Sequence, residues 1–309
     1  MIKMSLGLES AQSSIINDLE LVSALHHMDK SGSDSLLQHQ QHQEPLEESL
    51  RTMICVCATI TIVFYTIRAS LQPLCKRWNI PSHQNKIQIA YQMTNLCVNL
   101  CLGLYGIYHY NATVPRMSSL PVTHRIVGFH QYNTFAWTQI GYNLWSLPVG
   151  YFLVGESKAM LGHHVATICV SLISALSTFG FRYYTPFFFG LIEISSVPLS
   201  IMNFCKKNKE WTKKHCPFLG EIIRPIFAIM FLTTRVFMWT PNIYDVLRSS
   251  FMLLLSSSSF LTKLVLGLFI VCVAFLTSLQ YYWGWLITKG ILKLLEGLKV
   301  KKVKEVNAD

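Results

Sequence analysis

The chain has 309 residues, 51% of them hydrophobic and only 14% charged, with a net charge of +10. A mean hydropathy of +0.35 sets aside disordered, fibrous and ordinary soluble proteins and points to an integral membrane protein. The positive charge does not point to nucleic acid, because the basic residues follow the ends of apolar runs and no nucleic-acid motif accompanies them. Anionic lipid headgroups are the expected counter-charge.

Residues 1–50 differ in kind from the rest. They hold eight of the sixteen acids and the run Gln38-His39-Gln40-Gln41-His42-Gln43, and are expected to form a disordered acidic tail. No basic segment leads at once into an apolar core, so the first helix is expected to act as an uncleaved signal anchor. The His26-His27 pair lacks a clear third ligand and reads as incidental.

Residues 51–290 carry about seven apolar runs of membrane length, near 52–69, 87–110, 134–154, 161–179, 183–204, 218–240 and 263–287. Lipid offers no partner to a bare N–H or C=O, and the alternating ten-residue strands of a barrel are absent, so the expected fold is all-α. Pro148 and Pro198 are expected to kink their helices and open a cavity. Residues 291–309 form a basic tail. Nine cysteines, scattered mainly in or beside apolar runs, do not make a disulfide framework; Cys75, Cys205 and Cys216 read as small apolar residues before they read as palmitoylation sites.

Positive charge sets the orientation. With seven spans, Lys76, Arg77, Lys86, Lys158, the Lys206–Lys214 loop and the Lys289–Lys304 segment fall on one side, expected to be cytosolic along with the carboxyl terminus. The acidic tail, Arg116, Arg125, Arg182 and Arg248 fall on the other, which makes the amino terminus lumenal. The sequon Asn111-Ala112-Thr113 lies on that side, close to a membrane end where a transferase has little room.

Polar residues on the middle helices recur at helical spacing. Asn95, Asn99 and Gly106 share one face, as do Gln139, Asn143, Ser146 and Gly150. His164, Thr167, Ser171, Ser174 and Thr178 share the next, with His163 at its border, and Glu193, Ser196, Ser200 and Asn203 make a fourth. Small and hydroxylated residues serve helix packing well. His163, His164 and Glu193 are not explained that way, since an ionisable group at bilayer depth needs a partner or a wet cavity, so these three mark the candidate site. Glu193 is expected about two turns deeper than the histidines, so direct contact would need a kink, a tilt or a water chain. Arg235 is expected to snorkel to the lumenal interface, and Tyr281, Tyr282, Trp283 and Trp285 to form an aromatic belt. The histidines are too few and too scattered for the multiple boxes of a di-iron centre, so no metal site is expected.

The order Gly141-Tyr142, Gly162-His163-His164, Leu191-Ile192-Glu193-Ile194-Ser195-Ser196-Val197-Pro198, Arg235 and Gln280-Tyr281-Tyr282-Trp283 resembles the TLC-domain family, which includes ceramide synthases and several lipid-homeostasis proteins. The resemblance implies one leading helix followed by a six-helix barrel-like bundle around a lipid-accessible cavity, in the endoplasmic reticulum. Where such proteins are catalytic, it implies that His163 or His164, assisted by Glu193, would join an acyl group from acyl-CoA, as cosubstrate, to a sphingoid base. No other cofactor is expected. The paired aspartates of ceramide synthases are absent here, Val165-Ala166-Thr167 follows the histidines, and Asn99 stands where relatives often carry histidine; the chain looks closer to the non-synthase branch.

The leading expectation is therefore a protein that binds membrane lipid and takes part in lipid homeostasis, with Asn99, Asn143, Ser146, Thr167, Ser171, Ser196, Ser200 and Asn203 holding the headgroup. The alternatives are a ceramide-synthase-like N-acyltransferase, which leaves catalysis open, and a cargo receptor or assembly factor meeting a protein partner at the Lys206–Lys214 loop.

Overall fold

A computed structural model describes residues 46–77, 83–117, 126–128, 130–177 and 179–306. Residues 1–45, which hold most of the acidic tail, lie outside the described residues.

Among the described residues, seven helical rods follow one another. The first is α1 (Leu46–Arg77) and the second α2 (His83–Met117); α3 (Asn133–Val149) runs into a π turn at Gly150–Val154, and α4 is Lys158–Leu176. The fifth rod is broken: α5 (Thr185–Phe188), a 3-10 turn at Leu191–Ser195, then α6 (Ser196–Lys207). A short connecting helix, α7 (Lys209–His215), occupies the expected basic loop. The sixth rod joins α8 (Leu219–Leu232), a π turn at Thr233–Phe237 and α9 (Trp239–Ser256), and the seventh is α10 (Phe260–Val306).

Five of these, at Leu46–Leu71, Lys158–Leu176, Arg182–Lys207, Leu219–Ser256 and Phe260–Glu296, are long and apolar enough to cross a membrane. The α2 and α3 rods fall short because much of their sequence is polar and turned inward: Asn95, Asn99, Gln139 and Asn143 are all buried. Large apolar side chains instead face outward on α1, α8 and α10, among them Ile62, Ile229 and Val271, each about two-thirds exposed. Only an apolar surrounding covers such a surface at low cost, and the molecule is an all-α membrane protein.

Three boundaries differ from the sequence reading. The first helix begins at Leu46, and the sixth rod runs past 240 to Ser256 because Pro241 falls in the first turn of α9, where a missing N–H costs nothing. The basic segment from 291 also continues α10 as helix to Val306. Pro198 likewise sits in the first turn of α6, so it does not break the fifth rod. The break comes at Gly190, whose backbone (φ −128°, ψ −82°) leaves the helical region.

That break is possible because two glycines meet. A Cβ on Gly106 would stand 2.1 Å from the Leu191 nitrogen, and one on Gly190 would stand 2.6 Å from the Gly106 Cα. Glycine lets the two backbones touch, the close approach that small residues serve between membrane helices. Gly106→Ala is expected to lower stability by about 1–3 kcal/mol through overpacking against rigid backbone, read as an earlier unfolding transition of the detergent-solubilised protein.

Candidate functional site

All rods except α1 surround one cavity of about 480 Å³, within the usual ~300–1,000 Å³ of a ligand site. α1 packs on the outside instead: a Cβ on Gly141 of α3 would lie 2.7 Å from the Met53 carbonyl oxygen, so that glycine is where α1 seats. The leading helix plus six enclosing rods is thus the observed arrangement.

His164 is 3% exposed and sits at the centre of a hydrogen-bonded cluster. The side-chain nitrogen of Asn143 donates to the Gln139 main-chain oxygen (2.7 Å) and to Gln139 Oε1 (2.9 Å). This turns Asn143 Oδ1 toward His164 Nδ1, 2.7 Å away, and because an amide oxygen only accepts, Nδ1 carries a proton. The opposite nitrogen, Nε2, lies 3.2 Å from Glu156 Oε2 and 3.4 Å from Ser146 Oγ. A carboxylate and a bare Nε2 would both be acceptors, so the contact holds one proton, on the imidazole or on the carboxyl group. The buried Tyr91 hydroxyl donates to Glu156 Oε1 at 2.8 Å and lies 2.8 Å from Ser146 Oγ.

Glu156 reaches this point by a local device. The π turn at Gly150–Val154 ends in Gly155, whose left-handed φ of 69° reverses the chain as glycine does without strain. The Glu156 N–H then bonds the Gly150 oxygen at 3.0 Å. A Cβ on Gly150 would stand 2.8 Å from Glu156 Oε2, so glycine there admits the carboxylate. Ser157 next caps α4 by accepting from the Met160 N–H,.

Glu193 occupies a second cluster. Gln139 donates to the Phe189 carbonyl at 3.1 Å and to Glu193 Oε1 at 3.4 Å. Arg235 pairs with Glu193 Oε2 at 3.1 Å, donates to Ser195 Oγ (2.8 Å) and Ser196 Oγ (2.9 Å), and lies 3.5 Å from Gln280 Oε1. Arg235 belongs to the π turn at Thr233–Phe237 and is 5% exposed. The expected snorkelling is therefore corrected: the guanidinium is held inward by a carboxylate it can neutralise, which a desolvated charge requires. A π turn shifts the helix register by one residue and so turns Arg235 inward; such turns gather at functional sites.

The two clusters form one chain. Donors run from His164 Nδ1 to Asn143, from Asn143 to Gln139, and from Gln139 to Glu193, so their dipoles align toward the carboxylate. The expected need for a kink or a water chain between His164 and Glu193 is met by two amides one turn apart on α3.

Of the residues named from sequence as headgroup ligands, Asn99, Asn143, Thr167, Ser196, Ser200 and Asn203 line the cavity, whereas Ser146 and Ser171 do not. Both serines are fully buried: Ser146 supports Tyr91, and the Ser171 hydroxyl has no hydrogen-bond partner. His163 lines the cavity through another part of its wall, with its ring 5.8 Å from that of Trp283. Trp283 thus turns inward, while Tyr281, Tyr282 and Trp285 remain exposed as an outer belt. Sequence reasoning missed Glu156 and Tyr91. An acid just past a span reads as an interfacial loop residue, and only Gly150 and Gly155, which both precede it, signal a returning turn.

Among the described residues, no group of three histidine, cysteine or acidic side chains stands close enough together to hold a metal ion. Residues 86–289 match the family model of the TLC domain, a span that takes in every cavity-lining residue named here and leaves out α1. The chain is a TLC-domain protein. The curated proteins contain no match to it. In this TLC-domain protein the family match covers the six rods that enclose the cavity, while the outer helix precedes it.

Proposed function

We propose that this TLC-domain protein holds an amphipathic membrane lipid within its bundle and through it takes part in membrane lipid homeostasis. The observation that carries this reading is the division of a single cavity. One part is walled by Glu156, His164, Glu193 and Arg235, the other by Phe181, Phe188, Ile243, Val246, Phe269 and Val273. Polar atoms suit a headgroup and the apolar wall suits an acyl chain. Unpartnered buried atoms on the wall include an acceptor, Asn99 Oδ1, and a donor nitrogen, Gln280 Nε2. A headgroup that both donates and accepts would satisfy them. Lys158 and Lys206 stand at the Glu156 end, which by charge faces the cytosol, and the endoplasmic reticulum is the compartment the family suggests.

Filling the apolar part tests this. Val273→Trp is expected to lower lipid affinity ~tenfold, equivalent to about 1.4 kcal/mol of binding, read by mass spectrometry of lipid retained on the purified, monodisperse protein. Unchanged lipid content would reject the cavity as the binding place.

The shared proton between His164 and Glu156 favours a second reading, acyl transfer from acyl-CoA to a lipid amine. The amine proton would pass to Nε2 of His164 as the proton held there moves to the Glu156 carboxylate, while nitrogen attacks the thioester carbonyl, the C–N bond forming as the C–S bond breaks and the thiolate leaves,. The measurement is formation of labelled amide from labelled acyl-CoA and a sphingoid base.

A further inference from the structure

The two adjacent histidines have different surroundings. His164 is bonded at both ring nitrogens, whereas His163 Nδ1 is buried with no hydrogen-bond partner. Across from it on α10, Gln280 is 1% exposed and its orientation is fixed. Arg235 can only donate, so the oxygen of the Gln280 amide must be the atom facing it at 3.5 Å,. The Gln280 nitrogen then points elsewhere, and it too is buried without a partner. Both residues line the cavity. His163 stands against the same stretch of α10, because its ring lies 5.8 Å from that of Trp283, one helical turn beyond Gln280.

We propose that His163 and Gln280 form a polar subsite, separate from the His164–Glu156 pair, whose N–H groups grip the carbonyl oxygen of an ester- or amide-linked acyl chain. The inference rests on the lipid-binding reading and names the ligand group it requires. Three features favour a neutral carbonyl over a phosphate. The Arg235 charge is matched by Glu193, and its nitrogens are directed to Ser195, Ser196, Glu193 and Gln280. Arg235, the cation that faces Gln280, therefore offers no unmatched charge to an anion. Gln280 also sits between Leu276 and Val273, on the apolar part of the wall, and Trp283. An acyl lipid carries its carbonyl at that same junction between chain and headgroup. Finally, a donor such as Gln280 Nε2 buried without an acceptor is costly,, and a carbonyl oxygen has two lone pairs, one for it and one for His163 Nδ1 when that nitrogen carries the ring proton. Binding selects the tautomer of His163 with its proton on Nδ1.

The test compares three fluorescent lipids of identical chain length, linked through an ester, an amide or an ether, on the full-length protein in nanodiscs. The wild type is expected to bind the ester and amide forms about fivefold more tightly than the ether, the range a neutral hydrogen bond supports. Gln280→Met and His163→Phe should each bring the carbonyl lipids down to the ether affinity. Equal affinity for all three lipids in the wild type, a comparison that needs no variant, overturns the subsite and leaves lipid binding standing. Absence of binding by any of them overturns both.

Discussion

Replacing Arg235 with methionine is expected to destabilise the protein by about 3–5 kcal/mol, because it leaves the Glu193 carboxylate in a buried site without its counter-charge. Glu193 keeps hydrogen bonds from Gln139 and Ser196, but neither donor carries a charge. The Ser195 hydroxyl also loses its donor from Nε, and Gln280 loses the contact that orients its amide. The double variant Arg235→Met with Glu193→Gln should recover much of the loss, since a neutral amide does not need the cation. Unfolding of the wild type, both single variants and the double variant in one detergent gives the coupling energy of the pair. Additive losses would mean that Arg235 contributes through packing against Phe231, over whose ring its guanidinium lies 5.9 Å from the centroid, and not through charge.

The second large effect falls on the shared proton. His164→Gln is expected to cost about 2–3 kcal/mol, toward the low side of what breaking a buried ion pair costs, because the Glu156 side chain is 15% exposed and its turn can swing toward the end of the bundle. Glu156→Gln should cost less, and the two together should be less than additive, since each removes the same contact. Loosening of the Gly150–Ser157 turn, read as faster amide exchange there than in α3, would accompany either change. If the protein transfers acyl groups, the same substitutions should reduce the rate by roughly 10²–10⁴-fold, the share a positioned acid–base group contributes. Val273→Trp gives a contrast, since it should reduce lipid occupancy and leave this turn as ordered as before.

Much of the site was legible before any tertiary structure. On the four middle spans Asn95, Asn99, Gln139, Asn143, Thr167, Ser174, Ser196 and Ser200 line the cavity, because an α-helix repeats its face every three to four residues and polar atoms in an apolar surrounding must turn inward; Thr178 lies outside the described residues. His164 and Glu193 stood out for the same reason. Ser146 and Ser171 were misread because a hydroxyl on the inward stripe looks the same in sequence whether it faces a neighbouring helix or an open space. Arg235 was misread because a cation near the end of an apolar run usually reaches the interface, and its register depends on a π turn that leaves no mark in the residue pattern.

Sequence alone determined that the chain is an all-α membrane protein of about seven rods, four of them with a polar face, because hydropathy and helical period are properties of neighbouring residues. Only the tertiary structure decided the partners. Glu156 is brought to His164 by a π turn and two glycines, and Arg235 meets a carboxylate 42 positions away because Gly106 and Gly190 let the fifth rod break against α2. Those pairings depend on how close two backbones can approach and how a helix register shifts by one residue, and both follow from packing across the whole bundle.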